Sequence, residues 1–240
     1  MEKEHDVNRI RIVLNCFIIM MLFDSVAIFS QEVTKVGTTG GKFLSIPVGA
    51  RAVGMGGAFV AVANDASAMY WNPAGIGRLS QSEAIFTHSA WVADLDFNYG
   101  GVVVPVSGLG TVGISFTSLT MADMERTTED QPEGTGEFFS AGSFAVGLSY
   151  ARNLTEWFSI GGNVKYINEH IWNSSATGFA VDVGTLFTTP FTGVKFGAGI
   201  SNFGSKLQIR GDDLLVLKDI SPNHGNNANV NANLHCKYPA

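Results

Sequence analysis

The chain has 240 residues, 45% of them hydrophobic, and a formal net charge of −6 at pH 7. Because the net charge is negative and no cluster of Lys and Arg occurs, we do not expect a nucleic-acid partner. Its two cysteines, Cys16 and Cys236, exclude the dense disulfide framework of a small secreted domain.

The first residues carry the pattern of an export signal. Arg9 and Arg11 precede an apolar run over residues 12–23, and Ser25-Val26-Ala27 offers a small-residue cleavage site. This run is shorter than the roughly 20 apolar residues that a membrane-spanning helix needs. We therefore predict a signal peptide over residues 1–27; the alternative is an uncleaved signal anchor. Cleavage of the signal peptide would remove Cys16 and leave Cys236 without an intramolecular partner.

Residues 28–82 are rich in Gly and Ala and also contain strong turn formers. Asp65 is placed to cap a short helical stretch over residues 66–70, and Asn72-Pro73 is placed to end it. Small residues allow a backbone to pack closely against surrounding walls. We predict a compact hatch, or plug, within a lumen, with these site residues: Arg51, Gly54, Met55, Gly56, Gly57, Asp65, Asn72, Pro73 and Gly75.

Two glycine patterns in this segment resemble phosphate-binding loops, but neither is complete. Around residues 37–43 a P-loop would need Gly where the chain has Val36, and Ser or Thr where it has Phe43. Residues 54–57 lack the third spaced Gly of a dinucleotide fingerprint, and no βαβ pattern follows. We expect no nucleotide, no other cofactor and no metal.

From residue 83 to 202 the chain alternates apolar and small or polar residues, which predicts roughly seven antiparallel strands. The stretch 142–150 is the clearest, with Phe144, Val146, Leu148 and Tyr150 on one face. A soluble β-sandwich is the alternative. Segments near the ~9–11 residues of a membrane-spanning strand, and aromatic residues at segment ends, favour a transmembrane β-barrel.

The connections between these segments alternate in predicted length. Residues 107–110, 152–157 and 189–193 form short turns, whereas 91–96, the acidic stretch 120–139 and 167–175 are longer. Bacterial barrels have short periplasmic turns and longer external loops. The order therefore favours a first strand that starts on the periplasmic side, with the acidic stretch outside.

Charged and polar residues of the small-residue face are expected to point into the lumen. These are Asn163, Lys165, Asp182 and Lys195, and we predict that Asp182 pairs with Lys195 on the neighbouring strand. In the hatch we predict that Arg51 pairs with a lumen carboxylate. A charge buried in a lumen needs such a partner.

Residues 47–79, PVGARAVGMGGAFVAVANDASAMYWNPAGIGRL, resemble the signature of the PorV/PorQ (UPF0164-like) family of bacterial outer-membrane proteins. They resemble more distantly the N-terminal region of FadL-type long-chain fatty-acid transporters. The matching elements are residues 49–51, 54–58, 65–68 and 72–75. The resemblance implies an all-β, FadL-like barrel of about fourteen strands with an N-terminal hatch.

Measured against that family, the chain covers the hatch and about half of the strands. Residues 203–240 are expected to be a polar loop that is cut off before further strands; a barrel completed by several protomers is the alternative. A barrel must close, because an open strand edge in lipid leaves backbone groups unpaired.

The resemblance implies a place in the bacterial outer membrane and a role in type IX secretion and surface attachment of secreted proteins. The expected partners are outer-membrane lipid and secreted cargo or secretion components. The alternative is FadL-like transport of a hydrophobic small molecule. The five histidines form no metal-spaced pair and no Gly-x-Ser-x-Gly occurs, so we do not expect an enzyme.

Overall fold

The computed structural model describes residues 40–211 with their side chains and residues 215–219, 227–231 and 235–236 as backbone strands. The predicted signal peptide and the beginning of the predicted hatch lie outside the described residues. Within the described range the chain is mostly antiparallel β-sheet, as the alternation predicts. No helix of the described residues has both the length and the apolar character needed to cross a bilayer.

Seven long strands make up the body of the fold, and each follows a stretch of alternating residues. They are β1 (Glu83–Ala90), β2 (Leu95–Val106), β3 (Gly110–Met121), β6 (Ala141–Asn153), β7 (Phe158–Ile171), β8 (Ser174–Thr188) and β9 (Lys195–Gly204). The short strands are β4 (Met124–Glu125), β5 (Phe138–Phe139), β10 (Leu207–Gln208), β11 (Arg210–Gly211), β12 (Leu215–Asp219), β13 (Asn227–Asn231) and β14 (His235–Cys236).

The long strands pair in the order β1-β2-β3-β6-β7-β8, and β9 and β11 both pair with β8. Every pairing in this sheet is antiparallel. In the described part of the chain no pairing joins β1 to β9, so the sheet is open. The antiparallel all-β prediction is confirmed; the described sheet does not itself close into a barrel.

The two faces of the sheet differ in their side chains, and the large apolar side chains of the alternating pattern lie on the exposed face. The outer face exposes large apolar side chains, among them Phe86, Ile114, Phe116, Leu148, Val164, Phe179, Phe196 and Ile200. The inner face buries small and polar side chains, among them Ala145, Ala151, Ala180, Thr111, Ser115, Ser149, Asn163, Lys165 and Asp182, together with the larger apolar Phe97, Tyr99, Val103 and Ile167. The face assignments made from the alternation over residues 111–187 are therefore confirmed.

Residues 40–82, which we call the N-terminal segment, form short helical turns: η1 (Lys42–Ser45), α1 (Ala50–Gly54), α2 (Ala68–Trp71) and η2 (Pro73–Arg78). Asp65 Oδ1 accepts a hydrogen bond from the Ser67 amide at 2.9 Å, in the turn before α2. Asn72 adopts an extended conformation that ends α2, and its side chain caps η2. The expected helical stretch thus runs over 68–71 and ends at Asn72-Pro73.

The N-terminal segment packs on the inner face through two apolar clusters. Phe43, Leu44 and Val48 pack among Phe97 and Ile167 of the strands. In the second cluster, residues of α1, α2 and η2 pack against the inner side chains of β2 and β6: Ala52, Phe59, Met69 and Ile76 with Val103 and Ala151. Burial of this apolar surface is the main force that holds the segment on the sheet.

Glycines of the inner face let the N-terminal segment approach the strands closely. A β-carbon at Gly161 would lie 2.4 Å from the Pro73 carbonyl carbon, and one at Gly184 would lie 2.0 Å from the Asn72 side-chain oxygen. At Gly197 it would lie 2.6 Å from the Val60 carbonyl oxygen. These glycines provide space for the segment, because any larger residue would push Asn72 and Pro73 away.

Two predicted loops are different in the structure. Residues 167–175 are not a long loop: β7 continues to Ile171 and β8 begins at Ser174, so only Trp172 and Asn173 connect them. The β-branched and small residues after Asn173 continue the alternation and extend the ladder. The expected polar loop at 203–240 instead contains short strands, of which β12 pairs with β13. Aliphatic residues within LVLKD give β12 a strand propensity that its polar surroundings obscure.

Gly161→Ala is expected to destabilise the protein by about 1–3 kcal/mol, because the added methyl group collides with the Pro73 backbone. The neighbouring Gly162→Ala is the matched control. Its β-carbon would lie no closer than 3.5 Å to another atom, the Asp182 carbonyl oxygen, so we expect a change within about 0.5 kcal/mol. Urea titration of both variants in detergent measures the difference. Equal midpoints would show that the segment does not lie against β7.

Candidate functional site

Arg78 joins the end of the N-terminal segment to the sheet. Its Nε donates to Ser159 Oγ at 2.9 Å, and its Nη2 donates to the Trp157 carbonyl oxygen at 2.9 Å. Its Nη1 donates to Thr188 Oγ1. The guanidinium therefore connects η2 with β7, β8 and the turn between β6 and β7. Its rigid, planar set of N–H donors suits several separate acceptors at once.

All acceptors that contact Arg78 in the described structure are neutral. Burial of the group lowers the pKa of its guanidinium, and no carboxylate offsets this change. A cation held by neutral oxygens still forms charge-assisted hydrogen bonds, which are stronger than bonds between neutral groups. Arg78 is thus an anchor of the segment.

Asn72 is a second anchor, and it is completely buried. Its Nδ2 donates to the Val60 carbonyl oxygen at 2.8 Å and to the Thr185 carbonyl oxygen of β8 at 3.0 Å. Its Oδ1 accepts a hydrogen bond from the Ala74 amide at 3.1 Å. One amide group thus satisfies backbone atoms of the segment and of the sheet, which a carboxylate or an apolar side chain does not do.

Arg51 does not have the partner that the sequence suggests. Its Nη1 lies 3.3 Å from Asp65 Oδ2 and donates to Asn64 Oδ1 at 2.6 Å, and its guanidinium lies over the Phe59 ring. The predicted bond to a strand carboxylate was wrong. The turn after α1 brings Asp65 of the same segment within reach first. The Arg51 side chain is 54% exposed, so this ion pair contributes little to stability.

A buried charge pair lies on the inner face between β7 and β8. Lys165 Nζ is 2.8 Å from Asp182 Oδ2, and the two side chains are 10% and 2% exposed. Asn163 Nδ2 donates to the same carboxylate oxygen at 3.1 Å. The predicted pair of Asp182 with Lys195 was wrong. Lys195 lies exposed at the start of β9 opposite Thr188, whereas Asp182 lies in the middle of β8.

Asp182 also fixes an irregularity of β9. The β8–β9 ladder shifts register between Val181 and Val183, and Asn202 has a left-handed φ of 57°. Asp182 Oδ1 accepts a hydrogen bond from the Asn202 amide at 2.7 Å, and Lys165 Nζ donates to Asn202 Oδ1. The arrangement is a β-bulge held by a buried ion pair. Bulges of this kind re-aim side chains near functional sites.

A cavity of about 280 Å³ lies between the N-terminal segment and this bulge. Its walls come from the N-terminal segment and from β7, β8 and β9: Leu44, Ser45, Val60, Tyr70, Trp71, Pro73, Lys165, Asp182, Val183, Gly199, Ile200, Ser201 and Asn202. Tyr70 donates its hydroxyl proton to the Leu44 carbonyl oxygen at 3.1 Å. Burial, with a smaller contribution from the Asp182 charge, raises the pKa of Tyr70 to about 12, so the hydroxyl stays protonated.

The remaining predicted hatch residues have different environments. Gly54 and Gly56 have no neighbouring atom where a β-carbon would lie, and Met55 is exposed. Gly56 and Gly57 adopt positive φ angles, which favour glycine. At Gly75 a β-carbon would lie 2.3 Å from the Ala63 carbonyl oxygen, so only glycine fits.

The long connection between β3 and β6 is a structured, acidic hairpin built on β4 and β5. Arg126 Nη1 lies 2.6 Å from Glu137 Oε2, and the Arg126 guanidinium lies over the Trp172 ring. The connection carries one arginine, Arg126, and six exposed carboxylates: Asp123, Glu125, Glu129, Asp130, Glu133 and Glu137. The described ranges contain no group of three or more His, Cys, Asp or Glu side chains arranged to hold a metal ion.

Sequence reasoning missed the anchors Arg78 and Glu83. Glu83 Oε2 accepts a hydrogen bond from the Ala66 amide at 3.1 Å, which joins β1 to the start of α2. Arg78 lies a few residues after the Asn-Pro-Ala-Gly element, and this position in the sequence was the available indication of its role. Nothing local indicates its partners, because they lie 81 and 110 residues further along the chain.

These features define a class of protein: an antiparallel sheet with an apolar outer face, whose inner face of small, polar and apolar side chains is covered by the chain's own N-terminal segment. Residues 24–170 match the model of the uncharacterised protein family UPF0164. The match covers more than half of the chain, which therefore belongs to that family. No curated protein matches the chain.

Arg78→Met is expected to destabilise the protein by about 2–3 kcal/mol, because Ser159 and Thr188 lose a charged donor. Arg51→Met serves as the control, with an expected loss of at most about 1 kcal/mol for an exposed pair. Urea titration gives both values, and limited proteolysis reports whether residues 40–78 become accessible. If the Arg51 variant were the more damaged of the two, Arg78 would not be the main anchor.

Proposed function

We propose that this chain is a bacterial outer-membrane β-barrel protein of the PorV/PorQ type, which supports type IX secretion and surface attachment of secreted proteins. Membership of UPF0164 and the resemblance over residues 47–79 support this assignment. The N-terminal segment serves as the hatch of the lumen. Export by the predicted signal peptide and closure of the sheet into a barrel both belong to the proposal.

One observation carries the membrane assignment: the exposed apolar outer face of the sheet. A soluble sheet exposes polar side chains and buries apolar ones, whereas here Leu148 is 66% exposed and Asp182 is 1% exposed. Contiguous exposed apolar surface in water is a liability that soluble proteins avoid. Lipid removes that cost, and it requires apolar side chains on alternating strand positions.

The acidic hairpin on β4 and β5 is the surface that best fits a protein client. It extends from the end of the sheet that also carries the β1–β2 and β7–β8 connections, and backbone hydrogen bonds from Arg126 to Glu137 and from Thr135 to Arg126 order it. An ordered, net negative loop attracts a basic surface of a partner and accelerates its association.

Leu148→Lys tests the membrane assignment. In a bilayer this change is expected to cost about 2–4 kcal/mol near the midplane and to reduce insertion. Leu154→Lys is the control, because Leu154 is 58% exposed but lies in a turn beyond the strands. Membrane fractionation after a urea wash, and heat-dependent mobility in gels, measure insertion. Equal insertion of both variants would show that Leu148 does not face lipid, and recovery of both in the soluble fraction would favour a soluble sheet.

Transport of a hydrophobic small molecule, as in FadL-like channels, is the second candidate. The bulge at Asp182 and Asn202, beside a cavity with aromatic and aliphatic walls, favours it. A locally disrupted ladder gives a point at which a wall of strands opens most easily.

Gene deletion in the source organism tests the secretion role against the transport role. We expect secreted proteins to accumulate in the periplasm and to disappear from the cell surface, and a plasmid copy to restore them. Proteomics of periplasmic and surface fractions measures both. Unchanged secretion together with lost growth on hydrophobic substrates would support the transport candidate instead.

A further inference from the structure

The cavity beside the bulge has the composition of a binding site for a small molecule. Leu44, Val60 and Pro73 form an apolar wall, and Tyr70 and Trp71 form an aromatic one. The two aromatic rings meet edge to face, with centroids 5.1 Å apart. Small-molecule sites are largely apolar with a few convergent polar groups, and this volume lies just below their usual range of about 300–1,000 Å³.

The polar side of the cavity carries both members of the buried ion pair. Lys165 and Asp182 neutralise each other at 2.8 Å, so this side has no net charge. A carboxylate ligand would lose its hydration and would approach Asp182 as closely as Lys165. Burial of an unpaired charge is costly, so a negatively charged head group is disfavoured.

Hydrogen-bonding capacity nevertheless remains on this side. The Lys165 ammonium has three N–H donors, and its contacts in the described structure are Asp182 Oδ2 and Asn202 Oδ1. One donor is therefore left for a ligand. Both carboxylate oxygens of Asp182 already accept hydrogen bonds, from Lys165 and Asn163 and from the Asn202 amide.

We propose that this cavity binds an uncharged molecule with a flat apolar ring system and one hydrogen-bond acceptor, the acceptor meeting Lys165 and the rings meeting Tyr70 and Trp71. The site is a feature of the packed N-terminal segment and goes beyond the secretion role. It requires only that the segment lie on the inner face, which the Gly161 and Arg78 variants test separately.

The experiment compares two probes that differ in the head group alone. 2-Naphthol is neutral at neutral pH, and 2-naphthoate is an anion of similar shape. Titration calorimetry of the full-length protein in detergent is expected to give an affinity for naphthol at least about tenfold above that for naphthoate. Equal affinities, tighter binding of naphthoate, or no binding of either probe would overturn the proposal.

Two variants localise the effect. Asp182→Asn keeps the side-chain shape but leaves the Lys165 charge unpaired, so the preference is expected to reverse in favour of naphthoate. Ser45→Trp places a bulky side chain in the cavity from an exposed position of η1 and is expected to abolish the binding of both probes.

The Ser45→Trp variant also keeps the test decisive if Asp182→Asn fails to fold. Ser45 makes one side-chain hydrogen bond, to the Lys42 carbonyl oxygen, so its replacement should leave the thermal midpoint unchanged. Any heat of titration that remains in this variant measures the partition of the probe into detergent. Naphthol binding that is undiminished by Ser45→Trp would overturn the proposal.

Discussion

The close approach of the N-terminal segment to the inner face is the constraint on which the rest of the structure depends. Asn72 and Pro73 occupy the space left by Gly184 and Gly161, and a β-carbon at either glycine would collide with them. Because the chain is this close, the Asn72 amide reaches the Thr185 carbonyl oxygen. The Arg78 guanidinium likewise reaches two strands and the turn at Trp157.

The same approach sets the electrostatics of the interior. The segment covers the inner face and removes water from Lys165 and Asp182, which leaves their mutual attraction and their hydrogen bonds as the compensation for lost hydration. Asp182 extends this network to the Asn202 amide and so fixes the bulge of β9. The N-terminal segment, the buried pair, the bulge and the cavity are therefore one connected arrangement.

The outer face imposes the opposite requirement. Its exposed Leu148, Phe179 and Ile200 have no covering element in the described structure. Apolar surroundings suit an exposed apolar outer face over a filled inner face. The N-terminal segment fills the inside, and lipid is the proposed surroundings. Membership of UPF0164 is compatible with this account.

The sequence by itself determined the seven long strands, the faces of those over residues 111–187 and the first strand's start at Glu83, because a period of two is a local property that each strand carries alone. It also located the turn at Asn72-Pro73. Only the tertiary structure decided the partners: Arg78 and not Arg51 holds the sheet, and Lys165 and not Lys195 pairs with Asp182. Such partners depend on strand register and on contacts between residues up to 110 positions apart, and no local pattern encodes either.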